Sequence, residues 1–547
     1  MAKTTKLNKK EIVFEEALWD AANKLRGSVE SAEYKHIVLS LIFLKFISDK
    51  FEAQREKLKA EGMGDYIDMV EFYTKDNVFY LPEEARWSTI QKQAKQDDIA
   101  VKIDTALHTV EKNNPSLKGA LPDNYFSRLS LDVSKLAALI DTINNINTVA
   151  SECDMSEEDL VGRVYEYFLG KFAANEGKGG GEFYTPKSVV TLISDMLEPY
   201  KGKIYDPCCG SGGMFVQSLK FIDSHKGNRK DISIYGQEYT NTTYKLAKMN
   251  LAVRGISANL GDIAADTFFK DQHPDLKADY IMANPPFNQK QWRADNELTD
   301  DPRWAGFDVP PTGNANYAWI MHMISKLSEH GTAGFVLANG SMSSNISGEA
   351  AIRQKIIEND LVDCMIALPG QLFYTTQIPV CLWFISKNKR EDKVRGYRNR
   401  QGETLFLDAR EMGSMISRVH KELTSDDIAK IANTYHAWRQ DKQSIERALS
   451  EQKDEVLTKE LLQEHKQLEA YEDVAGFCKS ASLEEIKAND YVLTPGRYVG
   501  AAAIEDDGIS FEVKMRELSH TLFAQMEETK ELDNEIRANL AELGYGA

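Results

Sequence analysis

Between residues 203 and 390 short apolar runs recur at 203–206, 231–237, 278–283, 333–338, 361–368 and 379–386, and helical segments separate them. This alternation predicts an α/β fold, a doubly wound and mostly parallel sheet with helices on both faces. Sheets of that kind bind ligands at the carboxyl ends of their strands. The residues that follow each run are therefore the first place to look for chemistry.

The run Ala278-Asp279-Tyr280-Ile281-Met282-Ala283 leads into Asn284-Pro285-Pro286-Phe287. Proline removes a donor and fixes the backbone, so nearby carbonyls point outward instead of pairing in a sheet. The amide oxygen of Asn284 and the carbonyl of Pro285 can then accept the two hydrogens of an exocyclic amino group, while Phe287 stacks on its ring. Asn-Pro by itself marks an ordinary turn, so the reading depends on a cofactor site upstream. Lys203 to Phe215 reads as strand, glycine turn and helix, with Asp206 at the strand end and Gly210-Ser211-Gly212-Gly213 in the turn. Glycines supply positive φ and let a ligand approach, and the helix start offers free N–H groups. Glu238 ends the next run, about twenty-five residues on, near the distance at which such folds place an acid on a ribose. Asp262, in Leu260-Gly261-Asp262-Ile263, follows at the next expected strand end.

Asp206-Pro207-Cys208-Cys209-Gly210-Ser211-Gly212-Gly213 together with Asn284-Pro285-Pro286-Phe287 resembles the amino-group DNA methyltransferases that use S-adenosylmethionine. Three further segments narrow the resemblance to the modification subunits of type I restriction–modification systems. Gly181-Glu182-Phe183-Tyr184-Thr185-Pro186-Lys187 is similar to the family's extra cofactor motif, and Leu18-Trp19-Asp20 through Leu25-Arg26-Gly27 to its helical domain. Asp490-Tyr491-Val492-Leu493-Thr494-Pro495-Gly496-Arg497-Tyr498-Val499 is similar to its C-terminal signature. The resemblance implies a Rossmann-like methyltransferase acting on N6 of adenine in DNA. It implies Glu238 on the cofactor ribose, Asp262 on its adenine, and Glu182 to Lys187 with Asp206 around the methionine moiety. It also implies a separate specificity subunit that reads the DNA, a second copy of the modification subunit, and an ATP-dependent restriction subunit in the full complex.

The expected catalytic residues are Asn284, Pro285 and Phe287. The base must leave the duplex stack, at a cost of a few kcal/mol that stacking on Phe287 partly offsets. Direct transfer needs no protein nucleophile, so Cys208 and Cys209 read as small residues of the cofactor turn. A cytosine-C5 enzyme would need a cysteine after a proline, and Pro207-Cys208 mimics that pattern in the wrong place. Asn-Pro-Pro-aromatic also occurs in guanine-N2 RNA and protein-glutamine methyltransferases, and a non-catalytic scaffold is a further alternative. The N-terminal region and Asp490–Val499 argue against the first two, and the intact motifs against the third.

The expected organisation is a helical domain over 1–150, the methyltransferase domain over 151–395, a charged, mainly helical extension over 396–480, and a C-terminal segment over 481–547. Val13, Ala17, Leu18, Ala21 and Leu25 recur at helical spacing, as do Tyr34, Ile37, Val38, Leu41 and Leu44. The first domain reads as a packing domain on periodicity and as a lid over DNA by resemblance. Glu176 to Gly181 reads as a mobile glycine-rich loop. The irregular stretch 288–316 carries Trp292, Arg293, Trp304 and Phe307. Lys290 and Arg293 are candidate phosphate contacts there, and the aromatics either fill the gap left by a flipped base or pack locally. Phe511, Met515, Leu518, Leu522, Leu532, Ile536 and Leu543 mark a near-heptad stripe, which the resemblance assigns to docking on the specificity subunit.

The net charge of −18 excludes a protein that grips DNA over its whole surface. Either a locally basic cleft or a partner must supply the grip, and the resemblance implies the partner. The longest apolar stretch, Ile37 to Ile47, contains Ser40 and Lys45 and is about half a membrane span, so it reads as a core helix. No signal peptide is evident at Met1 to Lys6. The cysteines, Cys153, Cys208, Cys209, Cys364, Cys381 and Cys478, show no C-x-x-C pair, which fits reduced thiols in the cytoplasm. The histidines form no metal-ligand cluster, and no G-x-x-x-x-G-K-[ST] is present for a P-loop ATPase.

Overall fold

The computed structural model describes residues 19–20, 23, 31–76, 78–129, 131–145, 167, 185–224, 228–346, 348–373, 377–418, 420–440, 442–451, 458, 470–501 and 511–542. The expected helix over Val13 to Leu25, apart from isolated residues, and the loop Glu176–Gly181 lie outside them.

The N-terminal part is helical. Helix α1 (Ser31–Ala60) shares one apolar core with α2 (Ile99–Asn113) and α3 (Val133–Asn144). Ile37, Val38, Leu39, Leu41, Ile42, Phe43, Leu44, Phe46 and Ile47 are all buried, as the core-helix reading requires. Each such side chain contributes about 1.5–3 kcal/mol of hydrophobic free energy. Lys45, the charge inside this stretch, pairs with Asp49 one turn on. The helical core continues onto Leu246, Met249 and Val253 of a helix in the catalytic part. Lys245 Nζ donates to Leu121 O at 2.8 Å and Lys248 Nζ to Lys118 O at 3.0 Å across the same seam.

The sheet contains β1 (Gly202–Asp206), β2 (Ile232–Gly236), β3 (Ala258–Asn259), β4 (Ala278–Ala283), β5 (Leu327–Ala338), β6 (Val362–Ala367), β7 (Val380–Ser386), β8 (Glu403–Asp408) and, after the small hairpin β9 (Ser414–Met415) and β10 (Lys421–Glu422), β11 (Cys478–Ser482). Its order is β11-β8-β6-β7-β5-β4-β1-β2-β3. Pairs β1·β2, β1·β4, β2·β3, β4·β5 and β6·β8 are parallel, whereas β7 runs antiparallel to both β5 and β6, and β11 antiparallel to β8. The expected doubly wound, mostly parallel sheet is present. Its strand order reverses between β1 and β4, the switch point outside which ligands bind in open α/β sheets.

Side chains alternate between two cores, as the period of two along a strand demands. Ile204, Tyr280, Met282, Val336 and Leu382 face α4 (Lys187–Leu197) and α5 (Gly213–Ser224). Tyr205, Ile281, Phe335, Leu337 and Trp383 face α7 (Asn316–Lys326) and α8 (Glu349–Glu358). Helix α6 (Asn241–Val253) lies between the first core and the N-terminal helices, and α9 (Ser425–Arg439) closes the first core with Ile431 and Trp438. Gly236 ends β2 where a Cβ would stand 2.8 Å from Leu260 and 2.9 Å from Phe215, so a larger residue would have to displace both side chains.

The structure corrects the expected boundaries after residue 395. β8 lies within the stretch expected to be a separate helical extension and β11 crosses its end, yet both belong to the main sheet. Asp490–Val499 is likewise part of this body. The Tyr498 ring stacks on Phe406 of β8 with centroids 3.8 Å apart, and Leu493 N donates to Met342 O at 2.9 Å. Met1–Gly500 forms one compact unit and Ala501–Ala547 another. The second unit is built on helix α10 (Phe511–Glu542), whose Met515, Leu518, Leu522, Phe523, Met526, Leu532 and Ile536 are exposed. Among the described residues no helix is long and apolar enough to cross a membrane.

Candidate active site

Asp206, Glu238, Asp262 and Asn284 stand at or just past the carboxyl ends of β1, β2, β3 and β4, which are adjacent in the sheet. Asp206 is almost fully buried and accepts from Cys208 N at 3.0 Å. Burial pushes its carboxyl up to about 7, and the nearby Glu238 carboxylate adds to the rise. The chain then turns through Gly210 (φ +53°) and Gly212 (φ +81°) into α5. These left-handed values strain any other residue type.

Glu238 holds this turn. Its Oε2 accepts from Gly210 N at 3.0 Å and its Oε1 from Thr240 N at 2.8 Å. Asn250 of α6 supports the same turn from behind, donating from Nδ2 to Ser211 O at 2.7 Å. Asp262 is exposed, and its amide donates to Gln272 Oε1 at 2.9 Å. Gln237 spans the gap between these ends, with Nε2 donating to Ala265 O and Lys270 O.

A cofactor with an adenosine and a cationic sulfonium fits this donor set. Carboxylates line its strand ends, and at Gly210 and Gly213 the space a Cβ would take is open. Pro186 and Lys187 open helix α4, which packs beneath the sheet, with Thr185 just before them. Glu182, Phe183 and Tyr184 lie outside the described residues. Burial, with Asp206 and Glu238 adding, pushes the thiols of Cys208 and Cys209 well above their ordinary range. Neutral thiols are poor nucleophiles, so the cytosine-C5 alternative loses its chemistry as well as its geometry.

At the base end Asn284 is half-buried, Pro285 is buried, and Phe287 meets Phe373 edge-on with centroids 5.7 Å apart and planes at 72°. Phe373 follows the carboxyl end of β6 in Leu368-Pro369-Gly370-Gln371-Leu372-Phe373. Sequence reasoning missed it, although the strand-end rule pointed to that position. It also missed Asn316, which is almost fully buried at the start of α7. Asn316 Nδ2 donates to Asn288 Oδ1 at 3.0 Å, and Asn288 N donates to Asn316 Oδ1 at 3.2 Å. This two-way clamp fixes the residue directly after Phe287.

The loop between the clamped ends is tied to itself by Arg293. Arg293 faces inward, its Nη1 donating to Ala294 O, Asp295 O and Glu297 O and its Nη2 to Pro310 O. A guanidinium so engaged helps hold the loop together. Lys290 is exposed. Trp292 and Trp304 are buried against each other, with Phe268 against Trp292, so they pack locally. Among the described residues no group of three or more His, Cys, Asp or Glu is arranged to hold a metal.

Comparison with known proteins agrees with this geometry. Residues 156–507 match the family described as N-6 DNA Methylase, and residues 14–143 match the HsdM N-terminal domain. The chain is 47% identical over 482 residues to the type I restriction enzyme HindI methylase subunit of Haemophilus influenzae, covering 85% of this chain and 100% of that protein. It is 39% identical over 553 residues to the MjaIX methylase subunit of Methanocaldococcus jannaschii, covering 97% of this chain and 92% of that one. In fold it is similar to a type I restriction-modification methyltransferase subunit from Streptococcus thermophilus, with a TM-score of 0.67 at 22% identity over 89% of this chain and 99% of that one. With carboxylates at the strand ends on one side of the switch point and Asn-Pro-Pro-Phe on the other, the chain belongs to the N-6 DNA methylase family as a type I restriction enzyme methylase subunit.

Proposed function

We propose that Asn284, Pro285 and Phe287 form the adenine pocket of this methylase and that the reaction is direct transfer to the flipped base. The observation that carries this is the position of Asn284 at the end of β4, beside Asp206 at the end of the neighbouring strand β1. S-adenosylmethionine, when bound, supplies a methyl group on a sulfonium that is already strongly electrophilic. Asn284 Oδ1 and Pro285 O accept the two N6 hydrogens, which turns the nitrogen lone pair toward that methyl. Phe287, held edge-on by Phe373, stacks on the base and offsets part of the cost of unstacking. Glu238 would hold the ribose hydroxyls, Asp262 the cofactor adenine, and Asp206 with Thr185, Pro186 and Lys187 the methionine end. Most of the rate enhancement is then positioning.

In this reading a specificity subunit chooses the DNA sequence, a second methylase subunit completes the modifying unit, and a restriction subunit brings ATP hydrolysis. The apolar side chains along α10 are the docking face for the specificity subunit. Lys290 is a candidate for a phosphate contact in the 288–316 loop. The reaction belongs in the cytoplasm, where its DNA substrate and reduced thiols coexist. Incubating the assembled complex with labelled cofactor and DNA, RNA or a glutamine peptide tests the substrate class. Label in DNA adenine supports the reading, and label only in RNA or peptide overturns it. Truncation before Phe511 is expected to abolish co-purification with the specificity subunit.

A further inference from the structure

Arg303 lies in the short helical turn Pro302–Trp304, about halfway along the loop that begins behind Phe287. It is nine-tenths buried, and each of its five N–H groups has an acceptor. Nε and Nη2 hold the two oxygens of Asp301 at 2.8 and 2.5 Å. Nη1 donates to Thr267 O at 3.0 Å and Nη2 to Phe268 O at 2.5 Å, five and six residues past Asp262. The remaining Nη1 hydrogen meets His322 Nδ1 at 3.3 Å.

Two of these contacts lead on to β1 and the turn after it. Thr267 Oγ1 donates to Pro207 O at 2.6 Å, so the Arg303-bound segment is fastened to the residue next to Asp206. His322 is fully buried, and burial, then Arg303 and Lys326, drives its pKa well below the ordinary value. A neutral imidazole that accepts at Nδ1 carries its proton on Nε2, which is 3.2 Å from the hydroxyl of Tyr205, the residue before Asp206. At the other end, the Asn288–Asn316 clamp and the bond from Ala315 N to Gln289 O (3.0 Å) tie the loop to the backbone behind Phe287. The Phe268 ring, packed between Trp292 (4.6 Å) and Trp319 (4.4 Å), stiffens the connection.

We propose that Arg303 is a positioning residue that couples occupancy of the cofactor site to the placement of the Asn284–Phe287 base pocket. A shift of the Pro207 turn reaches the loop through Thr267 and His322, and the loop reaches Phe287 through Asn316. Lysine cannot replace Arg303, because one ammonium has three donors and no planar fork. The proposal rests on the site assignment above, and Asn284→Ala separates the two. If the base pocket is elsewhere, Asn284→Ala transfers methyl groups normally, whatever Arg303 does.

The test is cofactor affinity of the complex with its specificity subunit, measured with and without target duplex. Binding linkage is reciprocal, so target duplex is expected to tighten cofactor binding by roughly five-fold or more in the wild type. Arg303→Lys and the near-isosteric Thr267→Val are expected to keep the DNA-free affinity within about two-fold and to lose most of that coupling. They should also lower kcat more than they change the cofactor KM. Thr267→Val keeps the test available if Arg303→Lys does not fold. No coupling in the wild type, or equal coupling in wild type and variants, overturns the proposal. An equal loss of affinity with and without DNA also overturns it, because that marks a merely structural role.

Discussion

Glu238 Oε2 accepts the amide hydrogen of Gly210 at 3.0 Å, so the acid that ends β2 shapes the glycine turn that ends β1. In the proposed cofactor site one side chain would thereby both shape the turn and supply a carboxylate. Glu238→Ala is expected to weaken cofactor binding by about 10- to 100-fold, in line with ~1.5–3 kcal/mol for hydrogen bonds to a charged group. Glu238→Gln, which keeps one acceptor, should fall between. Titration calorimetry with the cofactor checks both, and wild-type affinity in Glu238→Ala would remove Glu238 from the site.

Asp206 makes a pH-dependent contribution to stability. Burial raises its carboxyl pKa from 3.8 to about 7, so between those values the folded protein binds the extra proton. Stability therefore falls as pH rises from about 4 to 7 and is flat in this respect above that. Asp206→Asn removes the buried charge and is expected to be more stable than the wild type at pH 8, by an amount that shrinks to nothing near pH 4. Thermal melts of both proteins across this range check the sign. A difference independent of pH would show that Asp206 titrates normally.

Phe373 supports Phe287 edge-on, a contact worth about 0.5–1.5 kcal/mol beyond its area. Phe373→Ala is expected to lower kcat/KM for target DNA by roughly 2- to 10-fold or more, with cofactor affinity unchanged. Steady-state methylation at saturating cofactor checks this. A loss confined to cofactor binding would place Phe373 elsewhere in the mechanism.

Tyr498 stacks on Phe406 and donates its hydroxyl to Val492 O at 2.5 Å. Truncation to alanine opens a cavity under β8 and is expected to cost about 3–5 kcal/mol, seen as a large drop in thermal midpoint of the unit that ends at Gly500. If the C-terminal signature were only a docking segment, the midpoint would not move.

The six central strands and the residues at their ends were legible because runs buried on both faces must be largely apolar, as Val380–Ser386 is, and as Val362–Ala367 is apart from Asp363. β11 was not legible. It is an edge strand with only Cys478 and Ala481 buried, and it joins the sheet through backbone bonds to β8 that leave no side-chain pattern. Arg293 shows another limit, since a sequence records its charge but not that its guanidinium bonds to nearby backbone carbonyls. Arg303 and His322 were invisible for a related reason. Their roles depend on contacts with Thr267, Phe268 and Tyr205, distant in the chain and carrying no local motif.

The most direct measurement is labelled methyl transfer by the complex with its specificity subunit, followed by nucleoside analysis of the DNA. Label is expected in N6-methyladenine alone, with a fall of at least ~100-fold in Asn284→Ala and cofactor binding retained, the scale seen when a positioning hydrogen-bond group is removed. Undiminished transfer by Asn284→Ala, or label on another base, would contradict it.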